Sequence, residues 1–251
     1  LLVEFTRRDF LERYSGSVLG VAWSFIWPLV SLFIYIAIFS KVMSAKLPGV
    51  SSAYSYGIYL VAGLVPWTAF CNTVARSATV FVDKKSIISK IHISLPRLPL
   101  YIVMSESVTF VISMALYLAF LMATGNPLHP TALLLPFVYL VHQVLAYSLG
   151  FVVATLLVFL RDLREVTGIV LQIWFWFTPI VYVVDIVPDF VRGFFVYNPA
   201  YLFVKAYQDV LVFNRAPDID SLMILAVLGH VLLAVGYVLF KRLEKDVRDF
   251  V

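Results

Sequence analysis

The sequence predicts an all-α membrane protein with six transmembrane helices, and three observations carry this. Of 251 residues, 62% are hydrophobic and 14% charged, where a globular domain has roughly 45–50% and about 25%. Six stretches, at 18–40, 57–80, 100–123, 132–159, 166–184 and 221–240, each approach the roughly 20 apolar residues a helix needs to cross a bilayer. Lys and Arg also sort by side. Fourteen of the 19 fall on one side of the six stretches and five on the other, which places both termini in the cytoplasm. A basic inner face suits anionic lipid or an acidic partner better than nucleic acid.

Residues 1–15 begin LLVEFTRRDFLERY, mixing Arg7, Arg8 and Arg13 with Leu2, Phe5, Phe10, Leu11 and Tyr14. This composition fits an interfacial helix on the inner leaflet, or a charged flank of span one. Span one opens on Gly16-x-x-x-Gly20, a spacing that lets backbones approach within the chain or at a dimer seam. The run is rich in Trp and Pro and lacks a small-residue cleavage site, so it is expected to be kept. Trp23 and Trp27 share one helical face; Tyr35 and Phe39 are paired about a third of a turn further round. Pro28, Pro66, Pro136 and Pro179 fall within spans and are expected to kink or break them.

Spans two and three hold the ionisable exceptions, Arg76 and Glu106. Arg76 lies seven residues before Asp83 and Glu106 seven after Pro99. On antiparallel neighbours both then sit about 10 Å inside the same face. Charge at that depth needs a partner or water. A salt bridge fastening the two spans is the expectation, with a polar gate or substrate contact as the functional alternative. The loop between them, residues 83–99, sets Ile87, Ile88 and Ile91 on one stripe among Lys84, Lys85 and Lys90. Such a short amphipathic helix can rest on lipid or dock into a groove of a soluble subunit.

Span five carries Trp174-Phe175-Trp176-Phe177, which points all round the helix. Rings at this depth pack against lipid or offer flat faces to sugar C–H surfaces. Residues 185–220 alternate apolar patches with Pro188 and Asn198-Pro199. They read as two short helices dipping into the outer leaflet rather than as a seventh span. There is no G-x-x-x-x-G-K-[ST], so no P-loop binds ATP here. His92, His129, His142 and His230 are scattered, Cys71 is alone, and no Gly-x-Ser-x-Gly elbow occurs. The chain therefore reads as neither a metalloprotein nor an enzyme.

Four segments together resemble one family. Arg13-x-x-x-Ser17-x-Leu19-Gly20-x-x-Trp23-x-x-x-Trp27-Pro28-Leu29 is similar to the opening of ABC-2 type permeases that export polysaccharides. Phe159-Leu160-Arg161-Asp162, then Trp176-Phe177-Thr178-Pro179-Ile180-Val181-Tyr182, then Tyr197-Asn198-Pro199 fit the same pattern in the same order. The resemblance spans the chain and is nearest to O-antigen exporters, with capsule and teichoic acid exporters as close relatives; an ABC-2 exporter of lipid or drug, or a membrane-embedded transferase, is the competing reading.

The resemblance implies a homodimeric pore in the bacterial inner membrane. This chain and a second copy of itself would pair with two copies of a nucleotide-binding ATPase subunit, which carry the ATP and Mg; this chain would hold no cofactor. Residues 83–99 would be the coupling helix, and 185–213 short periplasmic gate helices. Trp23, Trp27, Tyr35, Phe39, Trp174, Phe175, Trp176, Phe177 and Tyr182 would line the channel of a lipid-linked glycan. Arg7, Arg8 and Arg13 are candidates for its head group.

Overall fold

The computed structural model describes residues 2–38, 54–88, 94–126 and 128–250. Phe39, Lys90 and Ile91 lie outside the described residues. The helices are α1 (Leu2–Arg13), α2 (Trp23–Ile36), α3 (Ser55–Asp83), α4 (Lys85–Ile88), α5 (Leu100–Ala123), α6 (Leu135–Leu157), α7 (Leu163–Trp176), α8 (Asp189–Phe195), α9 (Pro199–Leu211) and α10 (Ile219–Phe250). Among the described residues there is no strand.

Four of these, α3, α5, α6 and α10, are long and apolar enough to cross a bilayer. The expected span five corresponds to α7, of 14 residues, or about 21 Å against a hydrocarbon core of about 30 Å; expected span one corresponds to α2, and residues 39–53 after it lie outside the described residues. After α7 the chain turns back into the protein at Thr178, Pro179 and Ile180, all buried. The returning carbonyls find donors. Tyr59 Oη donates to Pro179 O and Tyr182 O, each at 3.2 Å, Gln208 Nε2 to Pro179 O at 3.3 Å, and Tyr56 Oη to Val181 O. Irregular backbone is tolerated at depth only when covered in this way.

The 185–220 region forms the two helices α8 and α9, parted at residues 196–198. Asn198 fixes the joint. Its Oδ1 accepts from Ala200 N at 3.0 Å, capping α9, and from Trp174 Nε1 at 2.7 Å; its Nδ2 donates to Phe177 O at 3.0 Å. Most of α9 is buried against α3, α6 and α10, in an aromatic core with Phe70, Phe110, Phe203 and Tyr207. Helices α6 and α10 approach closely at Gly229, where a Cβ would stand 3.2 Å from Leu145 N. There Ser148 Oγ donates to Gly229 O at 2.8 Å.

A second core gathers the basic ends of the helices: Phe81, Ile88, Leu95, Leu98, Tyr101, Phe151, Phe240 and Val247, with Leu2 and Phe5 of α1 packed on it. It explains two departures from expectation. Helix α10 runs on past residue 240 because Leu243 and Val247 continue its apolar face onto this core. The coupling stripe is split, since Ile88 is only 8% exposed inside the chain's own core. Residues 89–93 of the expected amphipathic helix lie outside the described residues, and α4 covers its first part.

Among the described residues the Gly16-x-x-x-Gly20 spacing packs against no other helix. Both glycines have positive φ, +80° and +51°, and a Cβ on either would meet nothing within 4 Å. They turn the chain from α1 into α2, a conformation that costs other residues strain. Pro136 likewise breaks nothing, because it sits in the first turn of α6, where the missing N–H has no intrahelical partner anyway.

Candidate functional site

Helix α1 has no buried residue and is held largely by polar contacts at the basic end of α3 and α5. Arg76 of α3 reaches Glu106 of α5 at 2.5 Å. Arg13 reaches the same Glu106 oxygen at 2.7 Å. Arg76 also donates to Asp9, and Ser105 Oγ donates to Asp9 at 2.6 Å. Asn72 Nδ2 adds a longer bond to Glu106 at 3.3 Å. Two acids and two arginines thus close a square between three helices. Glu106 is 1% exposed, and a carboxylate so placed needs these donors. For Asp9, burial raises the carboxyl pKa, but the hydrogen bonds from Arg76 and Ser105 outweigh it and hold the group below its ordinary value.

The sequence reading placed Arg76 and Glu106 at one depth and missed Asp9, Ser105 and the pairing role of Arg13. The available signal was Asp9 and Arg13 at i, i+4 on α1, one acid and one base on a single face. The three head-group candidates separate accordingly. Arg7 and Arg8 are exposed and make no ion pair among the described residues, whereas Arg13 is committed to Glu106.

Beside the square lies a cavity of about 380 Å³ between α2, α3 and α5. Trp23, Trp27 and Tyr35 of α2 form one wall. Ser24 and Ser31 of the same helix, Thr68 and Asn72 of α3, and Thr109 and Ser113 of α5 supply hydroxyl and amide groups, and Glu106 lies at its charged end. The spans are therefore richer in polar side chains than composition suggests. Aromatic faces among hydrogen-bonding groups are a lining that can take a polyol, with rings against C–H surfaces and side-chain oxygens on hydroxyls.

The span-five rings take different places. Trp174 and Phe175 pack inward against Trp67, and Trp174 also against Phe70. Trp176 and Phe177 face outward, 61% and 67% exposed. Tyr182 folds back, its hydroxyl donating to Trp176 O at 3.1 Å. Of the coupling candidates, Lys84 lies 3.9 Å from the Glu12 carboxylate and over the Tyr101 ring. Lys85 is exposed and Ile87 half-buried.

The model of the ABC-2 type transporter family matches residues 1–212. Over 250 residues the chain is 29% identical to the O-antigen export system permease protein RfbA of Myxococcus xanthus, covering 98% of this chain and 93% of that protein. Over 245 residues it is 29% identical to an O-antigen export system permease protein RfbA of Klebsiella pneumoniae, covering 97% and 92%.

Proposed function

The chain belongs to the ABC-2 type transporter family, and on that premise we propose that it is the permease subunit of an ATP-driven exporter moving a lipid-linked, O-antigen-like polysaccharide across the bacterial inner membrane. The observation that carries the substrate assignment is the cavity of about 380 Å³, where Trp23, Trp27 and Tyr35 face hydroxyl and amide side chains. A lipid or drug exporter has no evident use for so many hydrogen-bonding groups beside three rings. The names of the relatives from Myxococcus xanthus and Klebsiella pneumoniae support the same reading.

In this reading two copies of the chain pair with two copies of a separate ATPase, which supplies ATP and Mg. The termini are cytoplasmic, the segment around α4 seats on the ATPase, and α8 and α9 form a periplasmic gate. ATP binding draws the ATPase subunits together and moves that segment. Ile88 lies in the same core as Leu2 and Phe5, so the movement reaches α1, and through Asp9 and Arg13 the charged square beside the cavity. Arg7 and Arg8 are the exposed cations for the lipid diphosphate.

The test is to reconstitute the chain with its ATPase in nanodiscs and add lipid-linked glycan. Glycan should change ATP hydrolysis, and Trp27→Ala should slow export without unfolding the protein. An ATPase that fails to associate, or one indifferent to glycan, overturns the proposal.

A further inference from the structure

Resting on the reading that the segment around α4 seats on the ATPase, we infer that the end of α10 is a strut that holds this segment in place, with Phe240 and Val247 as positioning residues for coupling. Helix α10 has 32 residues, or about 48 Å of rise, against a hydrocarbon core of about 30 Å. Its exposed apolar face ends at Val235 and Val238, and Lys241 and Arg242 follow. Residues 241–250, about 15 Å of helix, therefore run on beyond the hydrocarbon.

A tail kept only for its charge has no use for a buried face. Lys241, Arg242, Lys245 and Arg248 are exposed and account for an anchor at the basic surface. They do not account for Phe240 and Val247, both fully buried, or for Leu243 packed with them. At i, i+3 and i+7 these three form one stripe. The stripe enters the core that holds both ends of the segment joining α3 to α5. The Phe240 ring lies 6.0 Å from that of Phe81, two residues before the segment, and 5.7 Å from that of Phe151. Leu95 and Leu98, near the far end of the segment, are buried in the same core, as is Ile88 of α4. Tyr147 Oη on α6 also donates to Pro96 O at 2.6 Å. The segment is thus held before α4, at α4 and after it.

A close-packed core is barely compressible and transmits displacement. Movement of α4 then carries the end of α10 with it. With that end loosened, α4 shifts on the ATPase without moving the spans. The charged square around Glu106 ties α1 to α3 and α5; the stripe on α10 is a separate, apolar hold.

The experiment uses the full complex with its ATPase in nanodiscs. Val247→Ala should cut glycan-stimulated hydrolysis and export per ATP about fivefold or more. Basal hydrolysis and assembly should stay unchanged, and Val247→Ile should restore coupling. A merely structural loss lowers basal and stimulated hydrolysis together and overturns the inference, as does normal coupling in Val247→Ala.

Spin labels on Lys85→Cys and Arg242→Cys, both exposed, in a Cys71→Ala background need no core substitution. Their separation should change by less than about 3 Å between nucleotide-free and ATP-trapped complexes, as within one packed body; a larger change overturns the strut. The seat itself is checked by whether the ATPase shields Lys85→Cys from a water-soluble thiol reagent. If it does not, or if wild-type hydrolysis ignores glycan, the exporter reading fails and the strut falls with it. If it does, and Val247→Ala still couples normally, the strut alone falls.

Discussion

Arg76 on α3 and Glu106 on α5 meet at 2.5 Å, and Arg13 of α1 reaches the same carboxylate oxygen at 2.7 Å. The pair that fastens two spanning helices is therefore also the anchor of a surface helix that buries no residue of its own. Removing Glu106 leaves two guanidinium groups facing each other. Glu106→Ala should destabilise the chain by about 3–5 kcal/mol, as loss of one partner of a buried pair does. Arg76→Met with Glu106→Leu should cost clearly less than the sum of the two single changes. Thermal unfolding in one detergent checks both, and additive losses would argue that the two side chains act separately.

The Asp9 carboxyl is held below its ordinary value. A group with a folded pKa below its unfolded one stabilises above the unfolded value, near pH 4, and loses that contribution as pH falls through the folded value. Release of α1 should therefore occur only below about pH 4. Fluorescence from a probe on Arg8→Cys in a Cys71→Ala background reads it. Asp9→Asn should loosen α1 already at neutral pH and remove the acid step.

Asn198 serves four partners across the α7–α9 joint. Asn198→Ala should cost about 1 kcal/mol for the lost cap and a further 1–3 kcal/mol for the unpaired Trp174 and Phe177 groups. Asn198→Asp keeps the acceptor and should fall between. The thermal midpoints order the three proteins.

Trp27 and Trp174 should separate by phenotype. Trp27 is 65% exposed at the cavity wall, so Trp27→Ala should slow export with little loss of stability. The Trp174 ring packs on Trp67 and Phe70 and its Nε1 bonds to Asn198. Trp174→Ala should cost about 3 kcal/mol, as for a large core aromatic. Export and thermal stability measured on both variants check the split.

The coupling segment divides in the same manner. Ile88→Ala should cost about 2–4 kcal/mol, since Ile88 is packed in the second core. Ile87→Ala should leave stability near that of the wild type while weakening the link between ATP hydrolysis and export. Normal export from the Ile87 variant would argue that this turn does not seat on the ATPase.

Some of the site could be read from spacing alone. Equal offsets of seven residues from two helix ends placed Arg76 and Glu106 together, because helical rise is uniform. The polar stripe of α3 from Thr68 to Asp83 has the same kind of signal at i, i+4 and i+7, but Thr and Asn hardly move a hydropathy average, so hydropathy does not reveal it. The contact of Asp9 with Ser105 and Arg76 could not be read, since it depends on α1 folding back across α5.

The sequence by itself determined that this is a helical, multi-pass membrane protein, where its long spans begin, and that basic residues gather on one side. Those follow from composition and local rise, which need no knowledge of neighbours. Tertiary structure decided what local pattern leaves open. Gly16 and Gly20 hold positive φ in the turn between α1 and α2. Ile88 faces inward although its neighbour Ile87 does not. The span-five rings divide between core and outer surface. Each depends on which helix lies alongside, and sequence periodicity gives a face but not its partner.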